Sequence, residues 1–245
     1  MRIQLESDVH TEFHRDKGKS WVASLDPTGV DVLIVAGDLT TSPHLDFVLR
    51  GLCARFPDVI YVTGNHEYYG ADRDGVHRII FALQAELGNL HWLEDRAVTI
   101  GGQRFVGSTL WFRDDPDGLN AVYDKFLSDF KVIRGLRDWV YAVNERTCAF
   151  LDEQVLDTDV VITHHMPHPD GVAPIFRTGK FAPLNRFFLC DMTPLIERAQ
   201  PKLWCFGHTH NAVDSHVGKT RLLCNPMGYP HEPDWGYRDG LVVDL

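Results

Sequence analysis

The chain has 245 residues, 44% hydrophobic, 24% charged and 11% aromatic, a composition that excludes disorder, collagen and coiled coil. Twenty-four basic against 34 acidic residues leave a charge of −10, which argues against a broad positive field for nucleic acid and against docking on anionic lipid, but not against a small anionic substrate. Cys53, Cys148, Cys190, Cys205 and Cys224 form no CxxC, no apolar run reaches the ~18 residues of a membrane span, and the N-terminus lacks the apolar stretch of a signal peptide, so a soluble cytoplasmic protein with reduced thiols is expected.

Ile3–Leu5 opens the chain as a short buried strand, and Val30–Ala36 reads as the second. Ser42-Pro43 supplies an N-cap and an N1 proline for a helix through Leu45, Val48, Leu49 and Leu52. Val59–Thr63 is the third strand, followed by a helix from about Asp72 to Leu87 with Gly88 as its stop. Ala97–Ile100 and Arg104–Val106, joined at Gly101-Gly102, read as a hairpin. Residues 108–143 are less regular, with a turn cluster at Asp114–Gly118 and a helix around Leu119–Phe130, and form a candidate partial cap. A further helix starts near Asn144 and ends before Thr158, then come strand Val160–Thr163, a helix from near Asp191 and strand Leu203–Phe206. Ala212–Val217, Thr220–Cys224 and Leu241–Val243 complete a second, partly antiparallel set. Strand–helix alternation followed by successive strands predicts an α/β fold with two sheets, in one domain spanning 1–245.

The chemistry sits at the ends of the strands. Five apolar runs finish in Ser7-Asp8-Val9-His10, Gly37-Asp38, Gly64-Asn65-His66-Glu67, Thr163-His164-His165 and Gly207-His208-Thr209-His210. Ligands in open α/β sheets bind beyond the carboxyl ends of the strands, so five segments deliver carboxylate, amide and imidazole to one rim. Asp8 and His10, like His208 and His210, are two residues apart and share a face if strand geometry continues. Singly, an Asp-x-His or a Gly-Asn is an ordinary turn. Jointly they point to a metal site of hard oxygens and borderline nitrogens, which suits Mn2+, Fe or Zn2+ rather than copper(I) or an iron–sulfur cluster. Asp8, His10, Asp38, Asn65, His164, His208 and His210 are too many ligands for one four-coordinate ion and match two ions that share one carboxylate.

The ordered set DxH…GD…GNHE…H…GHTH resembles the calcineurin-like metallophosphoesterase family, from Asp8 to His210. The resemblance implies a four-layer α/β/β/α sandwich of two mixed sheets flanked by helices. It implies one divalent ion on Asp8, His10, Asp38 and His210 and another on Asp38, Asn65, His164 and His208, with Asp38 bridging and Mn2+ the leading metal ahead of Fe, Zn2+ or Ni2+. His66 matches the family's non-ligand histidine, which contacts the phosphoryl oxygen or protonates the leaving group. The phosphoprotein phosphatases of the family carry an aspartate beyond their GD motif that orients this histidine, and Gly37-Asp38-Leu39-Thr40-Thr41 lacks it. The lipid-A-pathway pyrophosphatases carry arginine where this chain has His66.

The small single-domain bacterial phosphoesterases remain, and imply hydrolysis of phosphate esters by metal-activated water. Small phosphodiesters are the expected substrates, because an acidic surface disfavours phosphoproteins, duplex nucleic acid and membrane lipids. A phosphomonoesterase, a nucleotide pyrophosphatase and a non-catalytic scaffold are the alternatives. His165, Tyr68 and Asn211 are the candidate substrate-binding residues, and Trp111, Phe112, Tyr123 and Phe126 a candidate apolar or base-stacking wall.

Overall fold

Alternation of side chains along the strands decides the layering. The computed structural model describes residues 1–245. In β2 (Val32–Ala36), Leu33 and Val35 point to one buried cluster, and Val32, Ile34 and Ala36 to another. β3 (Asp58–Val62) repeats this, with Val59 and Tyr61 on one side and Ile60 and Val62 on the other. A strand apolar on both faces must be covered on both, which is the signature of a central layer.

The first sheet adds β1 (Arg2–Glu6), β4 (Leu90–Trp92) and the C-terminal β11 (Val242–Asp244), in the order β11-β1-β2-β3-β4. β1 to β4 run parallel, and β11 closes the edge antiparallel to β1. Its outer face packs on α1 (Lys19–Ser24), α2 (Leu45–Cys53) and α3 (Arg73–Glu86). The second sheet has the order β5-β6-β7-β8-β10-β9, from β5 (Arg96–Ile100), β6 (Gln103–Ser108), β7 (Val160–Thr163), β8 (Leu203–Phe206), β9 (Val213–Val217) and β10 (Thr220–Cys224). Its four central strands are parallel, and hairpins at Gly101-Gly102 and Gly218-Lys219 add the antiparallel edges. Gly101 and Gly102 have φ of 53° and 85°, the sign that a two-residue hairpin loop requires. Phe105, Val160, Ile162, Leu203, Cys205 and Leu223 face the first sheet, while Val106, Val161, Trp204, Phe206 and Leu222 face α6 (Leu136–Gln154) and α7 (Thr193–Ala199). The result is an α/β fold of two mixed sheets flanked by helices.

Several elements depart from the sequence reading. α6 starts at Leu136 rather than near Asn144, because Gly135 (φ 67°) turns the chain directly into it. The helix expected around Leu119–Phe130 is broken into α4 (Leu119–Tyr123), a 3-10 turn at Asp124–Phe126 and α5 (Asp129–Val132). Trp111 and Phe112 of the anticipated cap are fully buried core residues. α1 and β4 were not anticipated. No helix is long and apolar enough to cross a membrane.

Candidate metal centre

The parallel strands of both sheets end on one rim, and the residues that follow turn back sharply. Asp8, His10, Asp38, His208 and His210 all adopt left-handed backbone, with φ between 49° and 67°. Each such non-glycine residue costs on the order of 1–3 kcal/mol and persists only where the surroundings impose it. Asp8 and His10 therefore reach the rim through left-handed turns and not through a continued β pleat, which corrects the shared-face expectation; His208 and His210 do the same. Backbone bonds hold the turns, Asp8 N–H donating to Gly37 O (3.1 Å) and His10 N–H to Asp38 O (2.9 Å). Gly64 is needed because a Cβ there would collide with the Asp38 carboxylate.

Three groups of possible ligand atoms result, the atoms of each within 4.8 Å of one another: His10, Glu12 and His66 in one, and two more that meet at a shared carboxylate, Asp8, His10, Asp38 and His210 in the first and Asp38, His164 and His208 in the second. Asp38 belongs to both. His10 Nε2 lies 3.0 Å from His210 Nε2 and 3.7 Å from Asp38 Oδ2. His164 Nε2 lies 3.2 Å from His208 Nδ1, 3.5 Å from Asp38 Oδ1 and 3.1 Å from Asn65 Oδ1, which brings the amide into the second group. All seven expected ligands therefore converge.

The far atoms of these side chains fix which atoms face inward. His164 Nδ1–H donates to Ala36 O (2.9 Å), His210 Nδ1–H to Glu232 Oε2 (2.7 Å) and His10 Nδ1–H to Glu12 Oε1 (3.3 Å). In the neutral form of each ring Nε2 is then a bare lone pair. Asn65 Nδ2–H donates to Asp129 Oδ1 (3.0 Å), so its oxygen faces inward too. Buried acceptors facing one another with no proton between them repel, and a cation turns that repulsion into coordination. Asp8 Oδ2 is buried without any hydrogen-bond partner. Burial, with the Glu67 and Asp8 carboxylates nearby, pushes the Asp38 carboxyl well above the usual range. Burial also holds His10 and His164 down at about 4 and His208 well below its ordinary value, so these three imidazoles are neutral at neutral pH, whereas for His210 the bond with Glu232 and the nearby Asp8 carboxylate override burial and raise it. The donor set fits divalent cations.

Several contributors were not visible in the sequence. Glu12 Oε1 accepts from His66 Nδ1–H at 2.7 Å, supplying the orienting carboxylate missing after Asp38. Burial pushes the Glu12 carboxyl up, but its bonds with His10 and His66 override this and hold it at about 2. Tyr229 Oη lies 2.8 Å from His66 Nε2, and the His66 ring stacks on Tyr69 at 4.0 Å between centroids. Glu67 is fully buried and accepts from the backbone N–H of Gly64 (2.7 Å) and Leu39 (2.8 Å) and from Tyr61 Oη (2.8 Å), tying the second and third ligand turns together.

The three candidate substrate-binding residues are placed as follows. His165 is fully buried behind the cluster, 4.2 Å from the His208 ring, because neighbours on an extended chain point to opposite sides and His164 takes the rim side. Tyr68 is also fully buried, its hydroxyl bonded to Thr63 and His77, and Tyr69 lines the cavity in its place. Asn211 turns to the Ala212 carbonyl and does not line the cavity.

The description of calcineurin-like phosphoesterases matches residues 1–212. An uncharacterised protein of Acanthamoeba polyphaga mimivirus is 23% identical, over 95% of this chain and 93% of its own length. A solved phosphopantetheinyl hydrolase from Mycobacterium tuberculosis superposes with a TM-score of 0.73 at 19% identity, covering 95% of this chain and 93% of that one. A dimetal phosphatase from Danio rerio gives 0.56 at 17% identity, covering 97% and 90%. At these identities the solved structures share the fold. The chain belongs to the calcineurin-like phosphoesterase family.

Proposed function

We propose that this member of the family hydrolyses small phosphodiesters at a centre that holds two divalent ions. The observation that carries the reading is Asp38, whose two oxygens face His10 on one side and His164 on the other, as a carboxylate shared between two ions would. Asp8, His10 and His210 complete one half, and Asn65, His164 and His208 the other. Bound there, the ions supply Lewis acidity and a nucleophile at neutral pH. Mn2+ is the first metal to try, with Fe, Zn2+ and Ni2+ behind it.

The chain's own residues do the rest. Glu12 fixes His66 with its proton on Nδ1, so Nε2 is the working nitrogen. The Tyr229 hydroxyl occupies that nitrogen at rest and gives way to a phosphoryl oxygen. For this His66 would carry a proton on Nε2 as well as the one Glu12 holds on Nδ1, so that Nε2–H donates to the phosphoryl oxygen and offsets the charge that develops there. The neighbours named for phosphatase and phosphopantetheinyl hydrolase activity support phosphoester chemistry as the class.

A diester carries one negative charge, and the cavity beside the cluster has no lysine or arginine in its lining to meet more. That supports a diester over a monoester dianion, and the chain's charge of −10 disfavours polyanions. The test compares kcat/KM for an aryl diester, the matching monoester, a phosphopeptide and duplex DNA at fixed salt with Mn2+ present. The diester is expected to lead by tenfold or more; a lead for the phosphopeptide or the duplex overturns the reading.

A further inference from the structure

We infer that the cavity beside the ligand cluster is a specificity pocket for an uncharged apolar or aromatic arm of the phosphodiester, an assignment that rests on the phosphoesterase reading above. The cavity measures about 360 Å³, within the range of small-molecule sites. One side is the cluster itself, through Asp38, Asn65, His208 and His210. The other is apolar and comes from two separate stretches of chain, Phe126 beyond α4 and Phe176, Phe181, Leu184 and Phe188 between β7 and α7.

Phe126, Phe176 and Phe181 leave 61%, 39% and 49% of their surface exposed, yet all three line this cavity. Exposed apolar side chains gathered at one opening mark a binding surface, since covering them removes apolar area from water. Phe188 joins the two sides, stacking on the His208 ring at 4.6 Å and 27°. The apolar wall is thus held against the ligand cluster, and one molecule can touch both.

The charges define the arm. The twenty lining residues include Asp38, Asp129 and Glu232 but no lysine or arginine. Lys125 and Lys180 rest over the Phe126 and Phe181 rings, 5.2 and 4.8 Å from the centroids, and do not line the cavity. A second phosphate or a carboxylate on the arm would meet phenyl rings and acidic groups. A neutral phenyl or short alkyl arm meets a matching wall.

Calorimetric titration of the Mn2+-loaded protein with dimethyl, phenyl methyl and 4-carboxyphenyl methyl phosphate tests this, with hydrolysis of p-nitrophenyl methyl phosphate followed in parallel. Phenyl methyl phosphate is expected to bind on the order of tenfold more tightly than dimethyl phosphate, and the carboxyphenyl ester no more tightly than dimethyl. A Phe176→Ala/Phe181→Ala protein with unchanged metal content should lose the phenyl advantage. Equal affinity for the dimethyl and phenyl methyl esters, or preference for the carboxylate, overturns the pocket while leaving phosphoester hydrolysis standing. Absence of hydrolysis together with tighter phenyl binding sinks the proposed chemistry and upholds the pocket.

Discussion

Glu12 and His66 are 54 residues apart in the chain, and their side chains meet at 2.7 Å, Glu12 Oε1 to His66 Nδ1. The carboxylate fixes the imidazole's tautomer and direction, and the same oxygen lies 3.3 Å from His10 Nδ1. Glu12→Gln keeps the shape and removes the charge. Its kcat on an aryl diester is expected to fall roughly 10–100-fold at saturating Mn2+, the usual cost of removing an outer partner of this kind. Full recovery of kcat on adding metal would assign Glu12 to ion retention alone.

His66 itself is not among the inward-facing ligands of Asp38. His66→Ala should bind metal like the wild type and lose on the order of 10²–10³ in kcat, as loss of one transition-state contact does. Metal analysis beside kinetics separates the two effects, and a drop in bound metal would move His66 into the ligand set.

Glu67 is the buttress beneath the site. Glu67→Ala strands the N–H groups of Gly64 and Leu39 and the Tyr61 hydroxyl, all bonded to this carboxylate. Each stranded buried group costs about 1–3 kcal/mol, so chemical denaturation should show a loss of roughly 3 kcal/mol or more. A loss below about 1 kcal/mol would mean that water replaces the carboxylate.

His77, on α3 and outside the ligand cluster, gives a pH signature. Burial, with Arg73 and Arg146 nearby, lowers its folded pKa to about 4. Between about pH 6.5 and 4 the unfolded chain binds a proton there and the folded chain does not, so His77's contribution to stability is complete above 6.5 and is lost as the pH falls toward 4. Allowing for partial solvent screening, the loss is about 2 kcal/mol. In metal-free protein, His77→Gln should flatten the dependence of Tm on pH across that window, and an unchanged slope would show that His77 does not contribute.

The strands were legible because a run such as Val32–Ala36 is buried on both faces, and that demands an unbroken apolar stretch too short for a helix. The seven converging ligands were legible because each follows such a run directly. β4 was not, because only Leu90, His91 and Trp92 form it, and three residues show no period. Glu12 escaped notice because its partner lies across the fold from another strand end. Tyr68 and Tyr69 could not be told apart because both belong to one tight turn, and only packing decides which ring meets the cavity. His165 was readable in principle as a residue behind the ligands, since position alternates along a strand end and His164 takes the rim side.

The central claim is a pair of ions joined by one carboxylate, and metal stoichiometry tests it most directly. Protein stripped of metal and titrated with Mn2+ should approach two equivalents per chain, Asp38→Ala should lose both, and His10→Ala should weaken one and leave the other. A firm plateau at one equivalent in the wild type, or an Asp38→Ala protein that still binds two, would contradict the account.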